Sequence, residues 1–226
     1  MNCSENNIDT IFVDCFNTII FRKVKAKEIF ILWAKKIEKA YNIKWKTFYR
    51  KYRSINFNMC FKKTITSFNL LERFENVLIK LHSKFSKKHA LDNVENFVSK
   101  TTDLYVETEL ENFYINKNML QYLKTEKKNG KKIYLVSDFY CDSKILTKWF
   151  AALNISHVFD KIFSSCDFEK EKATTKLYKH LLLSLQLNPK NVIMFGDNIW
   201  SDVMMAKRCK LNAKRITPKT NLNNKG

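Results

Sequence analysis

The sequence contains no apolar segment as long as the roughly 18 residues that a membrane-spanning helix requires. Its first residues, 1–7, have neither the basic region nor the apolar stretch of a secretory signal peptide. These two absences predict a protein with no membrane partner and a cytoplasmic location.

The six cysteines form no C-x-x-C pair, and the four histidines are just as scattered. A zinc site therefore has no support in the sequence, and a reducing compartment is favoured over a fold held by disulfides. The cysteines are Cys3, Cys15, Cys60, Cys141, Cys166 and Cys209.

The charge is also unbalanced, because 41 Lys plus Arg residues face 22 Asp plus Glu residues and give a formal net charge of +19. Such an excess suits a polyanionic partner such as nucleic acid, or an anionic substrate. Arginine is scarce, however, and lysines occur in every segment, so a general preference for lysine gives the same total. Nucleic acid is therefore a possible partner but not the favoured one.

Two apolar runs each break on a carboxylate. The first, residues 11–20, breaks at Asp14, and the second, residues 192–195, leads to Asp197 and then to Asp202. Short runs of this kind are typical of buried parallel strands, and a carboxylate where such a strand ends needs a compensating charge. Because ligands of open α/β sheets bind at the carboxyl ends of the strands, we expect one shared site built around a hard cation.

The remaining pattern predicts an α/β fold, with a Rossmann-like parallel sheet and helices on both faces. From Asn116 onward strand and helix alternate, with a helix stop at Asn129-Gly130 and a late helix over about 201–209. The expected later strands are 132–136, 159–163, 192–195 and 213–216. Residues 21–112 show helical spacing, aromatic stripes that favour a core, and no convincing strand. The predicted domains are a core of 1–20 and 113–226 and an inserted helical domain of 21–112.

Four strand-end motifs, in this order, resemble those of the haloacid dehalogenase (HAD) superfamily of phosphatases, phosphotransferases and dehalogenases. The family's D-x-D-x-T is matched by Asp14-Cys15-Phe16-Asn17-Thr18. The later motifs are matched by Ser137, by Lys172 (with Lys170 and Lys176 as weaker candidates), and by Gly196, Asp197 and Asp202. The resemblance covers nearly the whole chain, and residues 21–112 take the place of a helical cap.

A closer resemblance is to a bacterial HAD group with the motifs D-x-F-D-T, followed by an Arg, and S-D-M-Y. The matching segments here are Asp14–Arg22 and Ser137-Asp138-Phe139-Tyr140. Some members of that group are attached to glycosyltransferases or polysaccharide-synthesis proteins.

The resemblance implies a catalytic role for Asp14, Lys172 and Ser137. Asp14 would attack phosphorus and form an aspartyl-phosphate, which divides one hard displacement into two easier ones. Lys172 would neutralise charge on the aspartate and the transferring group, and Ser137 would hold phosphate oxygens.

The resemblance also implies Mg²⁺, held by Asp14, Asp197 and the Phe16 carbonyl, since this ion prefers few carboxylates and keeps water. Asp202 would bind the ion directly or through a hydrogen bond, or it simply begins the next helix, where an acidic residue is favoured anyway.

On the substrate side, Thr18 would position the first loop by hydrogen bonding, and Asp138 and Asn198 would lie beside the substrate. Arg22 would either reach the substrate phosphate or tie the cap to the core.

Phe16 departs from the family pattern, because most HAD phosphatases have there a second Asp that acts as general acid and base. Such help is worth roughly 10²- to 10⁴-fold, and phenylalanine cannot supply it. Three explanations are open. Asp138, or Asn17 through a water, would take the role of the missing acid; alternatively, the leaving group needs little protonation. In the third explanation, catalysis is lost and the protein binds a ligand. The dehalogenase branch has an aromatic residue there too but dispenses with the metal, whereas Gly196-Asp197 retains the metal pattern.

The favoured function is thus a Mg²⁺-dependent phosphohydrolase for a small phosphorylated metabolite, with a sugar phosphate as one candidate. The cap is expected to close over the site and select the substrate. The alternatives are a nucleic-acid end phosphatase, motivated by the net charge, and a catalytically impaired binding module, motivated by Phe16. No oligomeric state is predicted.

Overall fold

A computed structural model describes residues 8–60, 69–139 and 142–217, with side chains left undescribed at 56–60 and 69–73. Tyr140, quoted above as part of the second motif, lies outside the described residues. The chain divides into two compact units, one of Met1–Phe21 with Tyr114–Gly226 and the other of Arg22–Phe113. The domain boundaries expected from the sequence differ from this division by one residue at each end.

Parallel strands form the centre of the first unit. The described strands are β1 (Thr10–Val13), β2 (Ile20–Arg22), β3 (Phe113–Ile115), β4 (Lys132–Ser137), β5 (Lys161–Ser164), β6 (Val192–Gly196) and β7 (Asn212–Arg215). Five of them make one sheet in the order β5-β4-β1-β6-β7, in which every neighbouring pair is parallel. This confirms the predicted α/β fold with a parallel sheet.

The central strand β1 is buried over its whole length, as expected for a parallel strand covered on both faces. Its last residue, Val13, pairs with Leu135 of β4 on one side and with Phe195 of β6 on the other. The carboxyl ends of the three strands are therefore level, and the residues that follow them are brought to one edge of the sheet.

Helices connect the strands and make up most of the second unit. They are α1 (Ala26–Tyr41), α2 (Trp45–Cys60), α3 (Asn69–Phe85), α4 (Val94–Glu111), α5 (Lys117–Lys128), α6 (Ser143–Ala152), α7 (Ser165–Phe168), α8 (Lys176–Ser184) and α9 (Met205–Arg208). The predicted stop of α5 is confirmed, since Gly130 has φ +87°, a conformation that glycine adopts at little cost. No described helix has the length and apolar character needed to cross a bilayer.

The second unit has an aromatic core, as its sequence pattern predicts. Trp33 of α1 is fully buried, its ring centroid lies 5.2 Å from those of Phe48 and Tyr52, and its indole N–H donates to the Thr101 carbonyl at 2.9 Å. Such ring pairs stabilise a core beyond the area that they bury.

The expectation of no strand in residues 21–112 is wrong at its first residues, because β2 includes Phe21 and Arg22 and pairs with β3. The Lys23 amide continues this pairing by donating to the Asn112 carbonyl at 2.8 Å. Strands of three residues are too short to show an alternating pattern, and their partner lies far away in the sequence.

The helix expected over about 201–209 is also different. Ile199–Met204 is π-helical, and only Met205–Arg208 (α9) is regular α-helix. One-turn π segments occur frequently at functional sites, and a period of 3.6 residues does not detect them.

Candidate active site

A cleft of about 230 Å³ lies at the carboxyl edge of the sheet in the first unit. Asp14 follows β1, Ser137 ends β4, and Asp197 follows β6, so the level ends of these strands bring the three side chains to the cleft. Asp138, Lys172 and Asp202 line it as well. The structure therefore brings together the residues that the sequence motifs single out.

The centre of the cleft is a buried ammonium between two carboxylates. Lys172 Nζ lies 2.5 Å from Asp14 Oδ1 and 2.7 Å from Asp202 Oδ1, and the lysine is 1% exposed. Burial alone would lower the pKa of Lys172, but the charges of Asp14 and Asp202 outweigh it and raise this pKa well above its ordinary value. Lys172 is therefore a permanent cation in this structure.

The pKa of Asp14 is raised too, from 3.8 to about 7. Burial is the largest cause of this rise, Lys172 opposes it, and the charges of Asp202 and Asp197 add to it. One ammonium thus does not compensate the negative charge around Asp14. A carboxylate whose pKa is shifted by burial and by like charges in a cleft is typical of a functional site.

Asp138 holds the backbone that carries Lys172. Its carboxylate accepts the Lys172 N–H at 2.9 Å and the Ala173 N–H at 3.4 Å, at the start of the 3₁₀ turn Lys172–Thr174. Of the three lysines considered from the sequence, Lys172 is the buried one in contact with Asp14, whereas Lys176 is exposed and Lys170 half-buried. Asp138 is therefore a positioning residue for Lys172.

Asp202 is held by several hydrogen bonds and does more than begin a helix. It is 1% exposed, its Oδ2 accepts the Asn198 N–H at 3.1 Å, and its Oδ1 accepts from Ser201 Oγ at 3.2 Å. A Cβ at Gly196 would lie 2.3 Å from Asp202 Oδ2, so the glycine of this motif provides the space for the carboxylate.

Three carboxylates could hold a metal ion. One oxygen from each of Asp14, Asp197 and Asp202 lies within 4.8 Å of the others. Asn17 Nδ2 donates to Asp197 Oδ2 at 3.1 Å and so orients that side chain. A cluster of hard oxygen donors with excess negative charge fits Mg²⁺. The expectation that the Phe16 carbonyl joins these ligands stays a prediction.

The ring of Phe16 forms an aromatic wall of the cleft. Its centroid lies 4.4 Å from that of Phe139 and 6.3 Å from that of Trp149, and Phe16 and Phe139 both line the cleft. The place where most HAD phosphatases carry an acid is therefore occupied by a packed aromatic cluster.

Arg22, for which the sequence analysis left two roles open, is paired with an acidic residue of α4. Its guanidinium donates to both oxygens of Glu109, each at 2.8 Å, and Glu109 also accepts from the Tyr105 hydroxyl at 2.7 Å. All three residues belong to the second unit, so this ion pair joins α4 to the beginning of that unit. The proposed phosphate contact of Arg22 has no support, and the described pair does not tie cap to core.

Thr18 does not hydrogen-bond through its side chain in the way expected. Its hydroxyl is buried and has no hydrogen-bond partner among the described residues. The loop is instead held through the Thr18 carbonyl, which accepts from Asn116 Nδ2 at 2.9 Å.

Ser137 and Asn198 line the cleft but already serve local structure. Ser137 Oγ accepts the Phe139 N–H at 3.2 Å. Asn198 Oδ1 caps the π-helical segment by accepting the Trp200 N–H at 2.9 Å and the Ser201 N–H at 3.0 Å. A substrate contact from the Asn198 oxygen is therefore not supported.

The sequence analysis missed the partners of the central carboxylates. It did not predict that Asn17 orients Asp197 or that Ser201 binds Asp202. The residue type gave a signal for Asn17, since Asn tolerates a positive φ better than most residues and Asn17 adopts φ +55° in the turn between β1 and β2. Ser201 gives no such signal, because its role depends on the π-helical turn.

Comparison with known proteins agrees with this geometry. A model of the haloacid dehalogenase-like hydrolase family matches residues 8–210, and the chain belongs to that family. A comparison with curated proteins finds no match.

Solved structures share the fold at low sequence identity. A 2-haloacid dehalogenase from Pseudomonas syringae pv. Tomato DC3000 is 12% identical, with a TM-score of 0.71 over 94% of this chain and 87% of that chain. A predicted phosphoglycolate phosphatase from Haemophilus somnus 129pt is 14% identical, with a TM-score of 0.55 over 94% and 86%. An L-2-haloacid dehalogenase from Xanthobacter autotrophicus with chloropropionic acid covalently bound is 17% identical, with a TM-score of 0.53 over 92% and 77%. Two chemistries thus share this fold, and only the site residues can distinguish them.

Proposed function

We propose that the protein is a Mg²⁺-dependent phosphohydrolase that acts on a small phosphorylated metabolite through an aspartyl-phosphate. The observation that carries this proposal is the position of the Asp14 carboxylate, 2.5 Å from the buried Lys172 ammonium and within a cluster of carboxylates at the strand ends of a HAD core. A reducing, cytoplasmic location remains a prediction that accompanies this proposal.

Asp14 is the nucleophile in this mechanism. A carboxylate oxygen forms a bond to phosphorus while the bond from phosphorus to the leaving oxygen breaks. Lys172 keeps Asp14 ionised and balances negative charge on the transferring group, and its buried position means that little reorganisation is needed. Water then attacks phosphorus, phosphate leaves, and the Asp14 carboxylate is regenerated.

The carboxylates of Asp14 and Asp197 would hold Mg²⁺, and Asp202 would help to orient them through Lys172 and the Gly196–Asn198 turn. When bound, the ion supplies positive charge that neutralises the phosphate oxygens and the carboxylate cluster. Asn17 keeps Asp197 directed into this cluster. We assign to Arg22–Phe113 the role of a substrate-selecting cap.

The described lining of the cleft favours a small anion over a polyanion. Its charged residues are Lys172 and four carboxylates, so the described lining itself is not basic. A nucleic-acid end phosphatase would need such a groove. A metal-free dehalogenase would not need Asp197 in a carboxylate cluster.

The test is Mg²⁺-dependent phosphate release from sugar phosphates, nucleotides, acyl and aryl phosphates, phosphorylated oligonucleotides and, for halide release, 2-haloacids. Asp14→Asn is the inactivating variant. The matched control is Asp160→Asn, since Asp160 precedes β5 at the opposite edge of the sheet and accepts the Ile133 N–H at 2.8 Å.

We expect phosphate release that chelator and Asp14→Asn abolish and that Asp160→Asn retains. Halide release without metal would assign the protein to the dehalogenases. No turnover, together with no beryllium fluoride binding by folded protein, would assign it as a binding module.

A further inference from the structure

The aromatic wall bears on the kind of phosphate ester that this cleft can cleave. Phe16 stands two residues after Asp14 and packs on Phe139 at 4.4 Å, and Phe139 packs on Trp149 at 5.6 Å. Phe16 and Phe139 present an apolar surface to the cleft next to the nucleophile, and the buried Trp149 packs against both rings. None of these side chains can give a proton to a leaving oxygen.

Asp138 does not replace the missing acid. Its Oδ1 accepts the Lys172 N–H at 2.9 Å, and its Oδ2 accepts the N–H groups of Lys172 at 3.1 Å and Ala173 at 3.4 Å. Both oxygens are therefore directed at the backbone of the turn that carries Lys172, and these N–H bonds favour the ionised carboxylate over the carboxylic acid. We therefore assign to Asp138 the positioning of Lys172.

The other acidic side chains of the cleft are engaged in the same way. Asp202 accepts from Lys172 Nζ, Ser201 Oγ and the Asn198 N–H. Asp197 accepts from Asn17 Nδ2, and Asn17 itself has an amide in place of an acid. Among the described residues that line the cleft, every acidic side chain accepts at least one hydrogen bond, and Asp14 accepts its own from Lys172.

We propose that the leaving group departs as an anion stabilised by conjugation, without a proton from the described residues that line the cleft. The substrate class is a phosphate on a phenolic, enolic or carboxylic oxygen. The inference rests on the proposed function and narrows it, because alkyl phosphates, including most sugar phosphates, leave as strongly basic alkoxides that need a proton.

The first step balances without an acid. A bond forms between Asp14 and phosphorus, the bond from phosphorus to the leaving oxygen breaks, and its electron pair stays on that oxygen. In the second step water bonds to phosphorus, the electron pair of the Asp14–phosphorus bond returns to the carboxylate, and both protons of the water stay with the phosphate. Phe16 supplies no base for this second step, so we infer that the aspartyl-phosphate accumulates.

The test uses the full chain with Mg²⁺ and two sets of substrates. A series of substituted phenyl phosphates measures how the rate depends on leaving-group acidity, and acetyl phosphate and glycerol phosphate represent carboxylic and alkyl oxygens. We expect a steep rise of kcat/KM with leaving-group acidity, and an initial burst of phenolate equal to the amount of enzyme. A flat dependence on acidity, or alkyl phosphates hydrolysed as fast as phenyl phosphates, would overturn the inference.

Variants at position 16 sharpen this test. Phe16→Asp restores an acid, so the ratio of phenyl to alkyl phosphate turnover should fall by about 10²-fold. Phe16→Leu keeps the position apolar and should leave that ratio high. Because both substrates are measured on one preparation, a ratio does not depend on how much of the variant is folded.

Different experimental results would contradict this inference and the proposed function. If alkyl phosphates are good substrates in an Asp14-dependent reaction, the phosphohydrolase stands and its leaving-group preference is wrong. If no phosphate is released from any member of the series, and Asp14→Asn and the natural protein behave alike, both fail.

Discussion

The two units each bury an ion pair, and the two pairs differ in their balance of charge. In the second unit Glu109 receives two hydrogen bonds from Arg22 and one from the Tyr105 hydroxyl. In the first unit Lys172 contacts Asp14 and Asp202, while two further carboxylates line the same cleft. The Arg22–Glu109 pair has one cation for one carboxylate, whereas the cleft around Lys172 has an excess of negative charge.

This difference separates a structural ion pair from a functional one. Burial has the larger effect on the pKa of Glu109 and raises it, although the Arg22 guanidinium lowers it, and one cation faces one carboxylate there. In the cleft one ammonium faces several carboxylates, and burial together with neighbouring charges raises the pKa of Asp14 to about 7. An added cation would offset this excess of negative charge, whereas the Arg22–Glu109 pair has no such excess.

Removing the single cation of the cleft should have the largest effect. Lys172→Met leaves Asp14 and Asp202 without their ammonium, and kcat should fall by roughly 10²- to 10³-fold, as for the loss of one preorganised electrostatic group. This fall in kcat is measured by steady-state assays with Mg²⁺ on the substrate that the phosphate-release assay identifies. Lys170→Met is the matched control, since Lys170 is half-buried and is not among the residues that line the cleft. Equal effects of both variants would remove Lys172 from the mechanism.

Breaking the balanced pair should change stability instead. Glu109→Gln removes the charge that compensates Arg22, and the free energy of unfolding should fall by about 3 kcal/mol. Urea unfolding measures this change. The double variant Arg22→Met, Glu109→Met should recover most of the loss, because no charge is then left unpaired. A double variant as unstable as Glu109→Gln would mean that packing, and not charge, holds this part of the second unit.

Neutralising Asp14 should stabilise the metal-free protein in a pH-dependent way. The pKa of Asp14 is raised from 3.8 to about 7 on folding, so the native state binds this proton more tightly and stability falls as pH rises between these values. Asp14→Asn removes that fall. We expect the variant to gain on the order of 2 kcal/mol over the natural protein at about pH 8 and little at about pH 4.

Unfolding in chelator across this pH range measures the difference. A gain that is equal at both ends would show that Asp14 does not titrate as the structure implies. Added Mg²⁺ should reverse the order of stability at about pH 8, because only the natural carboxylate can hold the ion.

The smallest effect is expected at the glycine that makes room for Asp202. In Gly196→Ala the new Cβ would lie 2.3 Å from Asp202 Oδ2, so the carboxylate must shift away from the Asn198 N–H. The cost should be about 1–3 kcal/mol in unfolding free energy, with a lower kcat because Lys172 loses a partner. Gly130→Ala is the control for a glycine with open space around it, and it should leave kcat unchanged although its φ of +87° also costs stability.

Much of the fold could be predicted because strong local patterns carry it. The apolar runs before Asp14 and Asp197 gave the right strands, and the alternation of strands and helices gave the parallel sheet. The short pair β2–β3 and the π-helical turn Ile199–Met204 could not be predicted in this way. Both depend on partners or on hydrogen bonds that no repeating spacing shows.

The sequence predicted which residues belong to the site better than it predicted the contacts that they make. Asp14, Ser137, Lys172, Asp197 and Asp202 were all named from motif order, and all five line one cleft. The pairing of Arg22 was not predicted because its partner, Glu109, stands 87 residues further along the chain. The hydrogen bonds by which Asn198 and Asp138 support the backbone were likewise not predicted. Asn198 caps the π-helical segment, and Asp138 accepts the N–H of Lys172, which lies far along the chain.

By itself the sequence determined which carboxylates stand at strand ends, since burial of an apolar strand forces the polar residue after it to the edge of the sheet. It also determined that position 16 carries no acid. Only the tertiary structure decided that Lys172, and neither Lys170 nor Lys176, meets Asp14, and that Arg22 is already paired. Charges act over a few ångströms in space, and those distances arise from the packing of segments that are far apart in the chain.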